Sequence, residues 1–251
     1  MDVKDKVVLI TGGGQGIGRS YALAFANAHA KVVIFDTHAQ NGAAVAEHIQ
    51  SLGGRALFYP CDVTQPDAVR QALQSVKNQW GPVQVLINNA AIFVTLGRQA
   101  FEDIPLPEWE QVMRVNVTGS WVCASAVAAD MKHAQWGRII NVSSSTVPLG
   151  TPMFMHYVTS KSAVIGMTRA MATELGPNSI TVNCLLPGLT DTEVDNPGRT
   201  DAMRKKIIDM QCVKRIGRPD DMVGTMLFLA SDASAFVTGQ SIAVDGGSVF
   251  L

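Results

Sequence analysis

The chain has 251 residues, of which 47 % are hydrophobic and 16 % charged, the latter below the ~25 % of an average soluble domain. That is room for one large domain or two small ones around a sizeable core, with so few surface charges that part of the outside is expected to pack against other subunits. Lys and Arg number 20 and Asp and Glu 21, a net charge of −1, which excludes a binder of nucleic acid that works by basic excess and, with this hydrophobicity, a mainly disordered chain.

No apolar run approaches the ~20 residues of a membrane helix. The first residues mix Asp and Lys around a four-residue apolar run, so no signal peptide is expected. Cys61, Cys123, Cys184 and Cys212 lie far apart without a C-x-x-C pair, which points to reduced thiols in a cytoplasmic protein rather than zinc ligands or disulfides. No His/Cys/Asp cluster has metal-ligand spacing, and no metal is expected.

Short β-branched runs alternate with helix-like segments. Val7–Ile10 reads as a buried strand ending in Thr11-Gly12-Gly13-Gly14, with a helix from Gly18 to Ala30. Lys31–Asp36 is strand-like, and a helix runs through Ala43–Ile49. Ala56–Tyr59 predicts strand three, Asp67–Trp80 a helix, Val83–Ile87 strand four and Pro107–Met131 one helix. Arg138–Val142 predicts strand five, Tyr157–Leu175 a long helix, Ile180–Cys184 strand six, Met222–Ala230 a short helix and Ser241–Val244 strand seven. Continuously apolar strands between helices imply a parallel sheet covered on both faces, and right-handed crossovers make it a doubly wound, Rossmann-type α/β fold over residues 1–251. Ligands of such sheets sit at the carboxyl ends of the strands. The irregular span at about 189–215 is expected to be a substrate lid.

The strand ends carry the chemistry. The turn Thr11 to Gly18 is glycine-rich between strand and helix, so backbone N–H groups and a positive dipole end can face a pyrophosphate, although its spacing is not G-x-G-x-x-G. Asp36 suits the ribose hydroxyls of an adenosine or a helix cap. Asp62 suits the adenine amino group or a turn. Asn88-Asn89-Ala90-Ala91 lines a cofactor or braces the sheet. Ser144 ends strand five, and Tyr157 and Lys161 share one helix face at i, i+4, whereas a Y-x-x-x-K alone reads more readily as a surface tyrosine and a solvated lysine.

Taken together these residues resemble the short-chain dehydrogenase/reductase family. T-G-x-x-x-G-x-G is met by Thr11, Gly12, Gly16 and Gly18, N-N-A-G by Asn88-Asn89-Ala90 with Ala91 in place of glycine, and the helix asparagine by Asn116. The serine is met by Ser144, Y-x-x-x-K by Tyr157 and Lys161, and the P-G motif by Pro187-Gly188 followed by Thr192. The match runs from about Val7 to Gly247. It implies hydride transfer between NAD(H) and a secondary alcohol or ketone. In it Tyr157 is the general acid/base, Ser144 binds the substrate oxygen, Lys161 lowers the tyrosine pKa and holds the nicotinamide ribose, and Asn116 holds a relay water. A cation ~5 Å away at an effective dielectric of ~20 is worth roughly 3 kcal/mol, about two pKa units, which would bring Tyr157 near pH 7–8 with help from the oxidised cofactor.

The resemblance further assigns to the cofactor Gly12, Gln15, Gly16, Ile17, Gly18, Asp36, Asp62, Val63, Asn89, Ala90, Tyr157, Lys161, Pro187, Gly188, Thr190 and Thr192. Asp36, followed by Thr37 and His38 without a basic residue, favours NAD over NADP. It also implies a homotetramer built on the helices of Asn116–Met131 and Tyr157–Leu175. The substrate wall is expected from Val94, Ser144, Phe154, Met155, Leu189 and Met210, with the uncharged stretch Val147–Met155 and the lid residues Met203 and Ile207. Such lining predicts a hydrophobic secondary alcohol, aryl-alkyl or alicyclic. His156 is expected to turn away, and Arg199 and Arg204 recruit an acid only if the lid folds inward. Arg204-Lys205-Lys206 is either a docking patch for an acidic carrier, as a 3-oxoacyl-carrier-protein reductase would need, or the solvated face of a lid helix. A non-catalytic dinucleotide-binding regulator is the alternative outside the enzyme class, and the full Asn116, Ser144, Tyr157 and Lys161 set argues against it.

Overall fold

The structure is a computed structural model and describes residues 1–194 and 200–251. Seven parallel strands form one sheet: β1 Val7–Thr11, β2 Lys31–Asp36, β3 Arg55–Pro60, β4 Val85–Asn88, β5 Gly137–Val142, β6 Ile180–Pro187 and β7 Ser241–Val244. Their order is β3-β2-β1-β4-β5-β6-β7. The chain winds outward from β1 to β3, then returns to the other side of β1 to begin β4. The crevice between β1 and β4 is therefore the switch point where such sheets bind ligands.

The sequence explains the layering. β1, β4, β5 and β6 are buried at every residue, as apolar strands covered on both faces must be, whereas the edge strands β3 and β7 are only partly covered. Alternate residues feed opposite cores. Val8, Ile10, Val32, Ile34, Val85 and Ile87 pack on one face, against α1 (Gly16–Asn27), α2 (Ala39–Ser51) and α8 (Pro219–Ala230). Val7, Leu9, Val33, Phe35 and Leu86 pack on the other, against α3 (Pro66–Trp80) and α5 (Ser120–Ala134). α6 (Met155–Leu175) covers β6 on that second face through Val164, Cys184 and Leu186. No helix among the described residues is long and apolar enough to cross a membrane.

One expected helix is built differently. The stretch predicted as a single helix over Pro107–Met131 is α4 (Leu106–Met113), a π-helical segment Arg114–Gly119, and α5. A π turn inserts one residue inside an otherwise continuous helix, and a single-position shift in the apolar register does not break the helical pattern. α7 (Asp201–Met210) lies in the expected lid, capped by Thr200, whose hydroxyl accepts from Met203 N at 3.2 Å. The lid residues 195–199, with Arg199 among them, lie outside the described residues.

Candidate active site

A cavity of about 950 Å³ opens along the carboxyl ends of the strands, at the upper end of the ~300–1,000 Å³ of small-ligand pockets. Its wall contains every residue expected at the cofactor, from Gly12 to Thr192, and also Val94, Ser144, Leu189 and Met210.

At one end β1 runs into the glycine turn. Gly12 has φ +64°, and a Cβ there would stand 2.9 Å from the Ala90 Cα. A Cβ on Gly18 would stand 2.1 Å from the Gly12 carbonyl oxygen, so α1 can approach the turn only because residue 18 is glycine. Asn89 is part of the brace as well as the wall. Its Nδ2 donates to the Thr11 and Gly12 carbonyls at 3.1 and 3.0 Å, while the backbone N–H groups of Asn89 and Ala90 donate to Thr11 Oγ1. The first turn of α1 has no side-chain cap. Instead, Gly16 N donates at 3.0 Å to a carboxylate oxygen of Glu193, from the segment after β6. An anion thus already rests where the helix offers N–H groups and a positive dipole end.

Asp36, at the end of β2, accepts from Gly14 N and His38 N, each at 2.9 Å, and still faces the cavity. Asp62 serves both of its expected uses: Oδ1 accepts from Thr64 N at 2.9 Å in a turn, and the residue lies on the cavity wall.

Toward the other end, Ser144, Tyr157 and Lys161 meet on one wall. A buried polar ladder sets α6 against the sheet. Asn88 Nδ2 donates to Asn141 Oδ1, and Asn141 Nδ2 to Thr168 Oγ1, both at 2.9 Å. Ser143 Oγ then donates to the Lys161 carbonyl at 2.8 Å, fixing the helix at the strand end. Lys161 Nζ donates to the Val142 carbonyl at 2.8 Å and lies 5.7 Å from the centroid of the Tyr157 ring. Tyr157 itself is wedged between Phe93 and Phe154, with ring centroids 5.0 and 4.9 Å away.

Burial dominates the titration of the pair. It pushes the Lys161 ammonium down to about 8. It pushes the Tyr157 phenol above its ordinary value, with the Ser144 hydroxyl pulling the other way. In the protein alone, desolvation of the phenolate outweighs the pull of the Ser144 hydroxyl.

Three expected site residues are not on the cavity wall. Asn116, in the π segment, is 1 % exposed and serves as a brace. Its Oδ1 accepts from Ile92 N at 2.8 Å, and its Nδ2 donates to the Ile92 carbonyl and to Ser160 Oγ. Phe154 lies behind the wall, packed on Phe93 and Tyr157. Met155 opens α6 and is 39 % exposed, because two residues along a helix rotate it about 200° from Tyr157. His156 is fully buried, 3.0 Å from Glu108.

Conversely, Arg98, Gln111, Val115 and Lys206 stand on the wall without having been expected there. Lys206 is exposed, as a solvated face requires, and also reaches the cavity. It falls at i+3 within the stripe Met203, Lys206, Ile207, Met210, and all four line the cavity. Arg204 is instead ion-paired with Asp191.

A family model described as enoyl-(acyl carrier protein) reductase matches residues 12–249. The chain is 38 % identical over 248 residues to a probable galactose dehydrogenase of Rhizobium meliloti, covering 98 % of this chain and 96 % of that protein. It is 35 % identical to a 3-oxoacyl-[acyl-carrier-protein] reductase of Thermotoga maritima, over 99 % of this chain and 100 % of that protein. A crystal structure of a 3-oxoacyl-[acyl-carrier protein] reductase from Brucella melitensis with bound NAD superposes with a TM-score of 0.90 at 34 % identity, covering 98 % of this chain and 92 % of that one.

Proposed function

The chain belongs to the short-chain dehydrogenase/reductase family of oxidoreductases, and from that premise we propose that it transfers a hydride between NAD(H) and a secondary alcohol or ketone. One observation carries the reading: Ser144, Tyr157 and Lys161 share a wall of the cavity whose far end is the glycine turn and Asp36. The turn fits a dinucleotide, because Gly16 N already accommodates a carboxylate and the glycines leave the backbone bare. Bound NAD(H) supplies the hydride donor or acceptor.

The chain's own residues handle the proton. Buried Tyr157 keeps its hydroxyl proton at neutral pH and so presents an acid to a carbonyl oxygen. In the oxidative direction the Lys161 cation, 5.7 Å from the ring, favours the phenolate by about 3 kcal/mol at an effective dielectric of ~20. Ser144, on the same wall, is placed to donate to the substrate oxygen. Phe93, Val94, Leu149, Met203, Ile207 and Met210 suit an apolar substrate body.

Asp36 would repel a 2′-phosphate and accept from free ribose hydroxyls. Steady-state kinetics with aryl-alkyl ketones should therefore show a kcat/KM at least about tenfold higher with NADH than with NADPH, a difference of ~1.4 kcal/mol. Asp36→Ala with Thr37→Arg should erode or reverse that ratio. Equal use of NADPH overturns the cofactor assignment, and the lack of any NAD-linked turnover of ketones or secondary alcohols overturns the reaction. The Thermotoga relative favours a second reading, reduction of a 3-oxoacyl thioester, which the same assay tests by including one as substrate.

A further inference from the structure

The charged groups on the cavity wall are segregated. Asp36 and Asp62 lie at the glycine-turn end, whereas Arg98, Lys161 and Lys206 come from the elements that surround the apolar end, where the described wall holds no carboxylate. Lys161 is committed to the Val142 carbonyl and to its place beside Tyr157. The other two cations have no ion pair among the described residues.

Arg98 stands on the connection after β4. Its Nη1 donates to the Pro152 carbonyl at 3.2 Å, and its guanidinium lies 4.4 Å over the ring of Phe154, the ring that packs on Tyr157. The ring contact places the guanidinium, and its remaining N–H groups have no protein partners among the described residues. No carboxylate pairs with it. Glu108 accepts from Gln99 Nε2 at 2.5 Å and lies 3.0 Å from His156 Nε2, and Asp191 holds Arg204. Lys206 likewise has no ion pair or hydrogen bond among the described residues, yet it lies in the cavity-facing stripe of α7. Arg98 remains exposed at the rim of the cavity, and partial desolvation without a carboxylate partner lowers its pKa. An unneutralised guanidinium in a ligand cavity is the complement of a carboxylate, which it binds in two parallel hydrogen bonds.

We infer that the substrate is an oxo or hydroxy acid whose carboxylate is bound by Arg98, with Lys206 adding to the positive field, while the apolar body spans to Ser144 and Tyr157. This rests on the hydride-transfer reading and adds to it the charged end of the substrate. These two contacts bound the span. The guanidinium lies no farther from the Tyr157 ring than the two successive ring spacings, so a short chain of carbons separates the carbonyl from the acid.

The test uses phenyl-substituted oxo acids with one to four carbons between ketone and carboxylate, their methyl esters, and the matching phosphate monoesters. Calorimetry measures binding to the protein–NADH complex, and initial rates measure turnover. The expected result is at least one acid that binds tenfold or more tightly than its ester, with a kcat/KM ratio to match. Arg98→Met should bring that acid-to-ester ratio to about one through KM, Arg98→Lys should keep part of it, and Arg98→Glu should take it below one. Esters that bind as tightly as the acids, a phosphate that binds better than the carboxylate, or a ratio that survives all three substitutions overturns the inference. Should Arg98→Met fail to fold, the Lys and Glu variants decide by the direction of the ratio. Binding that depends on Arg98 without turnover overturns the hydride-transfer reading instead, while equal turnover of acid and ester overturns only the carboxylate.

Discussion

Lys161 holds a charge where the surroundings resist it. Its folded-state pKa of about 8 lies below the ordinary 10.5, so below pH 8 the fold carries the whole cost of a desolvated ammonium, about 3 kcal/mol. Between pH 8 and 10.5 the folded protein releases the proton first, the unfolded chain binds more protons, and stability rises with pH. Lys161→Met should therefore raise stability at pH 7 by about 1 kcal/mol after loss of the Val142 hydrogen bond, with the gain shrinking toward pH 10.5. Urea midpoints across that range measure it, and a gain independent of pH would show that the charge is not its source. Tyr157→Phe makes the complementary point. Turnover should fall by at least ~10²-fold, the contribution of one positioned acid, while NADH titration by fluorescence remains near that of the parent. An active Phe variant would remove Tyr157 from the chemistry. The Ser144, Tyr157 and Lys161 wall was readable in the amino-acid order because i, i+4 spacing fixes one helix face. Arg98 was not, since only the fold brings it over Phe154.

Elements differ in how far their sequences betray them. The strands declare themselves because a parallel strand buried on both faces must be apolar without alternation. The helix that carries Asn116 conceals its π segment, and with it the reason Asn116 reaches Ile92 and Ser160 rather than the cavity. The junction of β1 and α1 depends on a contact that local sequence states only as a glycine. With a Cβ at residue 18 only 2.1 Å from a backbone oxygen, Gly18→Ala has to push α1 off the turn. We expect a loss of ~2–3 kcal/mol in chemical denaturation, the upper range for overpacking, together with weakened NADH binding. Parent-like stability and affinity would mean that the helix moves aside freely. Gly119, whose Cβ would meet Val63 Cγ2 at 2.5 Å, sets the π segment against the other wall of the cavity in the same manner.

Across the whole molecule the cavity is assembled from segments more than a hundred residues apart, and its two ends differ in charge sign. The carboxyl-end placement followed from the strand alternation alone. The polarity did not, because Lys206 stands in the apolar stripe of α7 and the segment after β6 folds back to α1. That last contact has a thermodynamic meaning. Glu193 is an internal competitor tethered to the protein, present at the Gly16 N–H at a fixed effective concentration, which no dilution reduces. For a pyrophosphate to take the Gly16 N–H, Glu193 has to give it up, so dinucleotide affinity would be the difference between two anions' attraction for the same helix terminus. A charge at a helix N-terminus is worth about 0.3–1 kcal/mol, so Glu193→Gln should tighten NADH by roughly two- to fivefold in a fluorescence titration. Unchanged or weaker binding would show that Glu193 yields its place without cost. The same contact would discriminate between ligands, since a stray phosphate, held by fewer groups than a dinucleotide, has to displace the same Glu193 carboxylate.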